Sequence, residues 1–308
     1  MSGSRWVGTW TAVNIPPDMP TVGRIIAQLY QRTTGDRIDG VIATDPLAVA
    51  EILRAAGPIQ AGGIWLDADN VAEETLVRAY VRYQTDNNAR LRFLREIATA
   101  SFEAFRRGLN SDPVNLIRHL GTAAAGRHVQ VYVEPAGQRA VAGLGLSGTA
   151  AAPQTGDYLM PVGVNTGANK LDAFMRRSVR WRVRLSPDGA AQATAALTLA
   201  NESPAYGLPR YIIGPFDDRF RPGQNEQFAT LYVAGGYGFT RATLNGRTVG
   251  AEAQADFGGL ALTQEVGVQA RSKITLGYQL ARPAAAERLG DNMALAVPPP
   301  CAVARGRR

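Results

Sequence analysis

Residues 179–199 have the sequence VRWRVRLSPDGAAQATAALTL, the clearest structural pattern in the second half of the chain. Apolar side chains recur at every second position on both sides of its centre, which is the period of a β-strand with one buried face. These positions are Val179, Trp181, Val183 and Leu185 before the centre and Ala193, Ala195, Leu197 and Leu199 after it. The central Pro187-Asp188-Gly189 is typical of a tight turn. The stretch therefore predicts a β-hairpin.

The same period continues toward the C-terminus. Asn245-Gly246 predicts a second hairpin turn, and Ile274, Leu276 and Tyr278 alternate as a further strand. We therefore predict an antiparallel β-sandwich-like module over residues 151–281. The basic tail over residues 282–308 is predicted to be loosely ordered.

The first half of the chain has the period of helices, interrupted by short apolar runs. Residues 21–32 have apolar side chains at helical spacing, with Asp18 placed to cap the helix. Thr44-Asp45-Pro46 predicts a second helix start, because Asp caps a helix and proline lacks the N–H that the first turn leaves unused. Apolar runs at 38–43 and 129–133 predict strands. This alternation predicts an α/β (α+β) domain over residues 1–150, with helices packed on a small sheet.

The clearest amphipathic signal lies over residues 90–109, where apolar side chains follow the helical repeat. Its apolar stripe consists of Leu91, Leu94, Ala98, Phe102, Phe105 and Leu109. We expect this stripe to face the core of the first domain.

Scarce histidine and cysteine exclude several classes of site. Cys301 is the single cysteine, so no intramolecular disulfide or cysteine metal site can form. His119 and His128 are the two histidines, which argues against zinc and Ser-His-Asp chemistry. No cofactor is predicted. No window approaches the 18 or so apolar residues of a transmembrane helix, and the N-terminus lacks the apolar core of a signal peptide. We expect no membrane anchor or export signal in this chain.

Positive charge is concentrated in the second half. Residues 1–150 hold 15 basic and 14 acidic side chains, whereas residues 151–308 hold 18 and 12. All of the basic residues except Lys170 and Lys273 are arginine. A GC-rich genome explains that bias, and so does the planar guanidinium fork that suits phosphate and carboxylate groups. The asymmetry favours a polyanionic partner.

The polyanion-binding candidates alternate with the apolar positions of the predicted hairpin or precede it. They are Lys170, Arg180, Arg182 and Arg184. The alternative is that the arginines form the solvated face of a half-exposed sheet. We expect no nucleic acid partner, because the basic stretch lacks interleaved stacking aromatics beyond Trp181.

An ordered series of short motifs resembles the bacterial family catalogued as domain of unknown function 4012. The series consists of residues 39–46 (DGVIATDP), Gly57-Pro58-Ile59, Asn70, Tyr80, Arg90, Phe93-Leu94, Gln138, Asn165-Thr166-Gly167, Lys170, Asn201 and Pro204. The likeness extends over about residues 14–280. It implies an extracytoplasmic protein of the cell envelope, since members of that family typically carry an N-terminal membrane helix. The family domain begins with strands that this chain is expected to lack.

A second segment is similar to the LytR-CpsA-Psr glycopolymer transferases. It consists of Tyr80-Val81-Arg82, Asp86 and Arg90, while Gln84 and Phe93 stand where that family has further arginines. The resemblance implies transfer of a lipid-pyrophosphate-linked polymer to peptidoglycan with a divalent metal such as Mg²⁺. The ligand-binding candidates are Arg78, Arg82, Asp86 and Arg90. The alternative is structural: Glu74 and Arg78 would form a helical i,i+4 pair, and Asp86 would cap the next helix.

Two further carboxylates flank the first predicted strand. Asp39 and Asp45 could hold a cation at the strand ends, or they could make a turn and cap a helix. The sequence thus predicts a cell-envelope protein that binds an anionic glycopolymer or a lipid-linked precursor. The alternative is a transferase of the LytR-CpsA-Psr kind, which is incomplete in this chain and would need Mg²⁺. The oligomeric state stays open.

Overall fold

A computed structural model of the chain describes residues 13–152, 157–283, 287–289 and 292–294. The chain divides into two units, Met1–Ala150 and Ala151–Arg308. Helices dominate the first unit and antiparallel sheets the second, which confirms the predicted fold class.

The first unit contains helices around two small sheets. Its elements are α1 (Met19–Thr34), β1 (Gly40–Thr44), α2 (Pro46–Ala56), β2 (Ile59–Ala61), β3 (Ile64–Leu66), α3 (Val71–Glu73), a π-helical segment (Glu74–Arg78), α4 (Ala79–Arg82), α5 (Asn87–Ser111), α6 (Pro113–Ala125), β4 (Val129–Val133) and α7 (Pro135–Gly143). β1 pairs with β4 in antiparallel register, with Ile42 opposite Val131, and β2 pairs with β3.

Side-chain caps start the helices where the sequence predicts them. The Oδ2 atom of Asp18 accepts a hydrogen bond from the Thr21 N–H at 3.0 Å at the start of α1. The Oδ1 atom of Asp45 accepts from the Leu47 N–H at 2.8 Å at the start of α2. These caps satisfy amide groups that have no partner within the helix.

The predicted apolar stripe of α5 is correct only in part, because Leu94 and Phe105 pack against the core but the other four positions are exposed. Leu91, Phe102 and Leu109 are exposed, with 49, 58 and 42% of their surfaces accessible. The residues that α5 buries are Arg90, Phe93, Ile97, Ser101, Ala104 and Gly108. Small side chains let neighbouring helices approach closely: a Cβ added at Gly108 would lie 3.3 Å from the Ala56 Cβ atom. The buried face combines Phe93 and Ile97 with the small residues Ser101, Ala104 and Gly108, and hydrophobic spacing alone does not identify the small ones.

The second unit is a sandwich of two antiparallel sheets. Its elements are β5 (Leu159–Asn165), a 3₁₀-helix (Leu171–Phe174), β6 (Met175–Leu185), β7 (Ala191–Asn201), α8 (Arg210–Ile213), β8 (Asn225–Val233), β9 (Gly238–Leu244), β10 (Arg247–Val249), β11 (Glu252–Asp256), β12 (Gly259–Val268) and β13 (Ser272–Arg282). The strand order is β10-β9-β13-β7-β6 in one sheet and β11-β12-β8-β5 in the other.

The predicted hairpin at residues 179–199 is confirmed. β6 pairs with β7 in antiparallel register, with Trp181 opposite Ala195. One apolar core joins the inner faces of the two sheets and includes Leu197, Leu231, Leu262 and Leu276. β6 is an edge strand of the five-stranded sheet.

The predicted tail is described only in part. β14 (Glu287–Leu289) and β15 (Asn292–Ala294) pair as a short antiparallel hairpin. The basic positions Arg305, Arg307 and Arg308 lie outside the described residues. Within the described ranges, no helix is both long and apolar enough to cross a membrane.

Candidate functional site

Glu74 organises two of the arginines that the transferase resemblance singled out. The residue is 6% exposed. Arg82 Nη2 donates a hydrogen bond to Glu74 Oε2 at 2.8 Å, and Arg78 Nη1 donates to Glu74 Oε1 at 3.3 Å. Arg78 Nε also donates to Glu73 Oε1 at 2.9 Å, and this hydrogen bond is the main reason that the pKa of Arg78 is raised. Both guanidinium groups are thus compensated by carboxylates.

The remaining two candidates lie at the start of α5. The Oδ1 atom of Asp86 accepts from the Ala89 N–H at 2.8 Å and so caps the helix. Arg90 is 7% exposed, and its guanidinium carbon lies 4.7 Å from the centroid of the Tyr80 ring. It also donates a hydrogen bond to Asn87 Oδ1. Arg90 therefore serves the packing of α5 on α4.

The structure brings these candidates to the α4–α5 junction, where each has a protein partner. Arg82 lies over Phe93 of α5, with 5.4 Å between its guanidinium carbon and the ring centroid. A π-helical turn at Glu74–Arg78 is an unusual element that recurs at functional sites. We call Arg78, Arg82 and Arg90 the front arginine group.

Of the two carboxylates proposed as cation ligands, that of Asp45 is engaged within the fold, whereas Asp39 makes its hydrogen bond through the backbone. Asp45 caps α2 through Oδ1, and its Oδ2 atom lies 2.7 Å from His128 Nδ1. The Asp39 carbonyl accepts from the Glu134 N–H at 3.1 Å. In the part of the chain that the structure describes, no group of three His, Cys, Asp or Glu side chains could hold a metal ion.

The arginine row (Arg180, Arg182 and Arg184) lies on the outer face of edge strand β6. All three side chains are exposed, as the alternating pattern predicts. Across the strand they face Ala196, Thr194 and Gln192 of β7, none of which is charged. Among the described residues, none forms an ion pair with the arginine row.

Arg177 shows how the pleat of β6 separates two environments. It lies on the other side of the strand from the arginine row, and burial lowers the pKa of its guanidinium. Trp181 also faces inward, where Nε1 donates to Asp157 Oδ2 at 2.7 Å. The aromatic residue within the basic stretch is therefore part of the core and does not stack on a ligand at the outer face.

Three further basic residues share the outer face with the arginine row. Arg176 lies on β6 itself and forms an ion pair with Glu202 at 3.3 Å, so its charge is compensated. Lys273 lies opposite Ala200 on β13, and Arg241 lies opposite Gln279 on β9. Both Lys273 and Arg241 are exposed. The paired outer positions between them and the row are Gln192, Thr194, Ala196, Thr198 and Ala200 on β7, and Thr275, Gly277, Gln279 and Ala281 on β13. None of these is acidic, so the face is basic and lined with small or polar side chains.

We call this surface, bounded by the arginine row, Lys273 and Arg241, the basic face. The sequence analysis missed Lys273 and Arg241 as members. Lys273 alternates with the inward side chains Ile274 and Leu276, so strand parity alone could have assigned it an outward position. Which strands neighbour β13 is a tertiary feature.

Lys170 is not part of the arginine row. It precedes the 3₁₀-helix that leads into β6, whereas Arg184 lies near the far end of that strand. Its Nζ atom lies 5.8 Å from the ring centroid of Tyr211, and its side chain is half-buried. Lys170 thus contacts the segment around α8.

Comparisons with known proteins give a family match over part of the chain and distant structural likenesses. No curated protein matches the chain in sequence. A Legionella pneumophila protein, described as a "putative nutrient binding protein", matches with 9% identity and a TM-score of 0.28 over 42% of this chain and 44% of that one. The chain thus spans less than half of that protein, and the score is too low to relate the folds. Residues 2–80 match the model of the family described as Protein of unknown function (DUF4012), which confirms the family resemblance for that segment.

Proposed function

We propose that the basic face binds an anionic glycopolymer of the bacterial cell envelope, or the lipid-linked precursor of such a polymer. The observation that carries this proposal is the unpaired arginine row beside an outer surface free of acidic side chains at its paired positions. Residues two apart on a strand are separated by about 6.6 Å. The row therefore offers guanidinium groups at a regular interval to a chain of repeating phosphate or carboxylate groups.

The small residues of the basic face favour an extended ligand. Ala196 and Gly277 have little side chain beyond the sheet surface, and Thr194, Thr198 and Thr275 offer hydroxyl groups. A polymer lying across such a face can reach both the arginine row and Lys273. Guanidinium groups pair with phosphate and carboxylate in a two-pronged geometry, which adds specificity to charge attraction.

The location of the protein in the cell envelope is part of this proposal. The family resemblance supports it, while the basic face supports the polyanion without identifying its source. No observation in the described residues favours the transferase alternative, because Arg78 and Arg82 are held by Glu74 and Arg90 is buried.

The test is binding of a poly(glycerol phosphate) oligomer to the wild-type chain and to the Arg180→Gln/Arg182→Gln/Arg184→Gln variant. Each charge-assisted contact contributes roughly 1.5–3 kcal/mol, so the triple variant should bind at least about a hundredfold more weakly. The slope of log affinity against log salt should also flatten by about two, since fewer counterions are released.

The matched control removes the same charge from exposed positions in the first unit. Arg92→Gln/Arg95→Gln/Arg107→Gln should leave affinity and salt slope near wild type. Equal loss in both triple variants would show that only net charge matters and would contradict the proposal. Equal affinity for a single-stranded oligonucleotide of the same charge would contradict selectivity for a glycopolymer.

A further inference from the structure

A groove in the first unit lies between α1 and the corner where β4 leads into α7. Its volume is about 490 Å³, within the range of small-ligand sites. Arg24 and Gln28 line it from α1, Arg37 from the following loop, and Glu134 and Gln138 from the corner. We call it the α1 groove. It shares no residue with the basic face.

Gln138 lines this groove, and its side-chain amide has a fixed orientation. Its Oε1 atom accepts from the Val133 N–H at 3.2 Å, which fixes the orientation of the side-chain amide. The Nε2 atom is then the free end of the amide, and it is buried without a partner among the described residues. Buried donors in folded proteins are nearly always satisfied. An acceptor from outside the chain would satisfy this one.

Two arginines add positive charge to the same groove. Arg24 and Arg37 are exposed, and neither forms an ion pair with any described residue, Glu134 included. The groove therefore holds two uncompensated guanidinium groups and an unsatisfied amide donor. An oxyanion is the ligand group whose oxygens accept from all three. The side-chain oxygens of Glu134 and Gln28 can accept hydrogen bonds from donor groups elsewhere on the ligand.

We propose that the α1 groove binds a small polar molecule through its phosphate or carboxylate group. Arg24 and Arg37 hold the charge, and the Gln138 Nε2 atom donates to one of its oxygens. The groove has the size of a small-ligand site and shares no lining residue with the basic face, so we propose it as a separate site. Phosphate monoesters and carboxylates share this chemistry, and the choice between them is experimental.

The experiment titrates the full chain with phenyl phosphate, benzoate and the neutral analogue phenol, followed by calorimetry. We expect millimolar or tighter saturable binding of at least one anion and none of phenol. Arg24→Gln/Arg37→Gln should lower the affinity at least about tenfold, because each lost charge-assisted contact has at least that effect. The tighter anion identifies the oxyanion class.

Gln138→Glu is the sharpest variant. Its carboxylate can still accept from the Val133 N–H, but the donor becomes an acceptor that repels an anion, so binding should be abolished. If Gln138→Glu lowers the melting temperature, the single variant Arg37→Gln serves in its place. Its position is exposed, so it should fold normally and still bind the anion more weakly. The basic-face triple variant should bind the small anion unchanged. No saturation by about 10 mM, equal binding of phenol, or unchanged affinity in Arg24→Gln/Arg37→Gln would overturn the proposal.

Discussion

The front arginine group and the arginine row contain the same side chain in opposite circumstances. Arg78 and Arg82 share the carboxylate of Glu74, and Arg90 is buried against Tyr80. The arginine row has no carboxylate partner among the described residues and projects from an edge strand. The guanidinium groups of the front arginine group therefore already have partners within the protein. Those of the arginine row face solvent and can still donate hydrogen bonds to a ligand.

This difference shows that arginine content alone does not locate a binding site. A guanidinium that is paired with a buried carboxylate must lose that partner before it binds an external anion. A guanidinium on an open sheet face exchanges only water and counterions, and the release of counterions favours binding. Similar patterns of spaced arginine are thus paired within the fold in one unit and left without carboxylate partners on the described surface of the other.

The largest expected effect on stability concerns Arg90. Replacing it with alanine removes a buried side chain, its contact with the Tyr80 ring and its hydrogen bond to Asn87. We expect a loss of about 2–3 kcal/mol in the free energy of unfolding, measured by urea denaturation. Arg92→Ala, at an exposed position on the same helix, should change it by less than about 0.5 kcal/mol. Equal losses in the free energy of unfolding of the two variants would contradict the distinction between buried and exposed arginines.

Glu74→Gln tests whether the front arginine group is held by its carboxylate. The change leaves Arg82 and Arg78 without their shared charge partner, and we expect a loss of about 1–2 kcal/mol because both guanidiniums keep some access to water. The freed arginines should also gain affinity for the poly(glycerol phosphate) oligomer at low salt. Exposed Glu103→Gln is the matched control. A variant with unchanged stability and unchanged polymer binding would contradict the contrast drawn above.

The smallest expected effect concerns the outer face of the four-stranded sheet, which carries Glu226 and Glu265. Burial raises the pKa of Glu226, and the nearby Glu265 adds to the shift. A carboxyl group with a raised pKa in the folded state favours folding while it is protonated, and that contribution is lost as the pH rises through the folded pKa. Glu226→Gln should therefore raise the melting temperature at pH 7 and leave it nearly unchanged at about pH 4. A lower melting temperature at pH 7 would show that the charge is stabilising.

Local patterns account for much of this architecture. The alternation at residues 179–199 predicts the hairpin and the outward direction of the arginine row, because a strand needs only its own two-residue period to separate its faces. The helix caps at Asp18, Asp45 and Asp86 are equally local. Each carboxylate accepts a hydrogen bond from the backbone N–H of a residue two or three positions ahead. The fold class and the residues of the arginine row were predictable for this reason.

Partners distant in the sequence are decided only by the tertiary structure. The buried face of α5 depends on which helices approach Ser101, Ala104 and Gly108, and small size is not a hydrophobic pattern.

The same reason applies to the two surfaces proposed as binding sites. The α1 groove joins Arg24 and Arg37 to Gln138 across about a hundred residues of chain, and the basic face joins the arginine row to Lys273 and Arg241 through strand order. Sequence by itself determined the elements and the direction of their side chains, because those follow from short-range periodicity. Which charges stay unpaired was decided by the tertiary structure, because pairing depends on neighbours that only folding brings together.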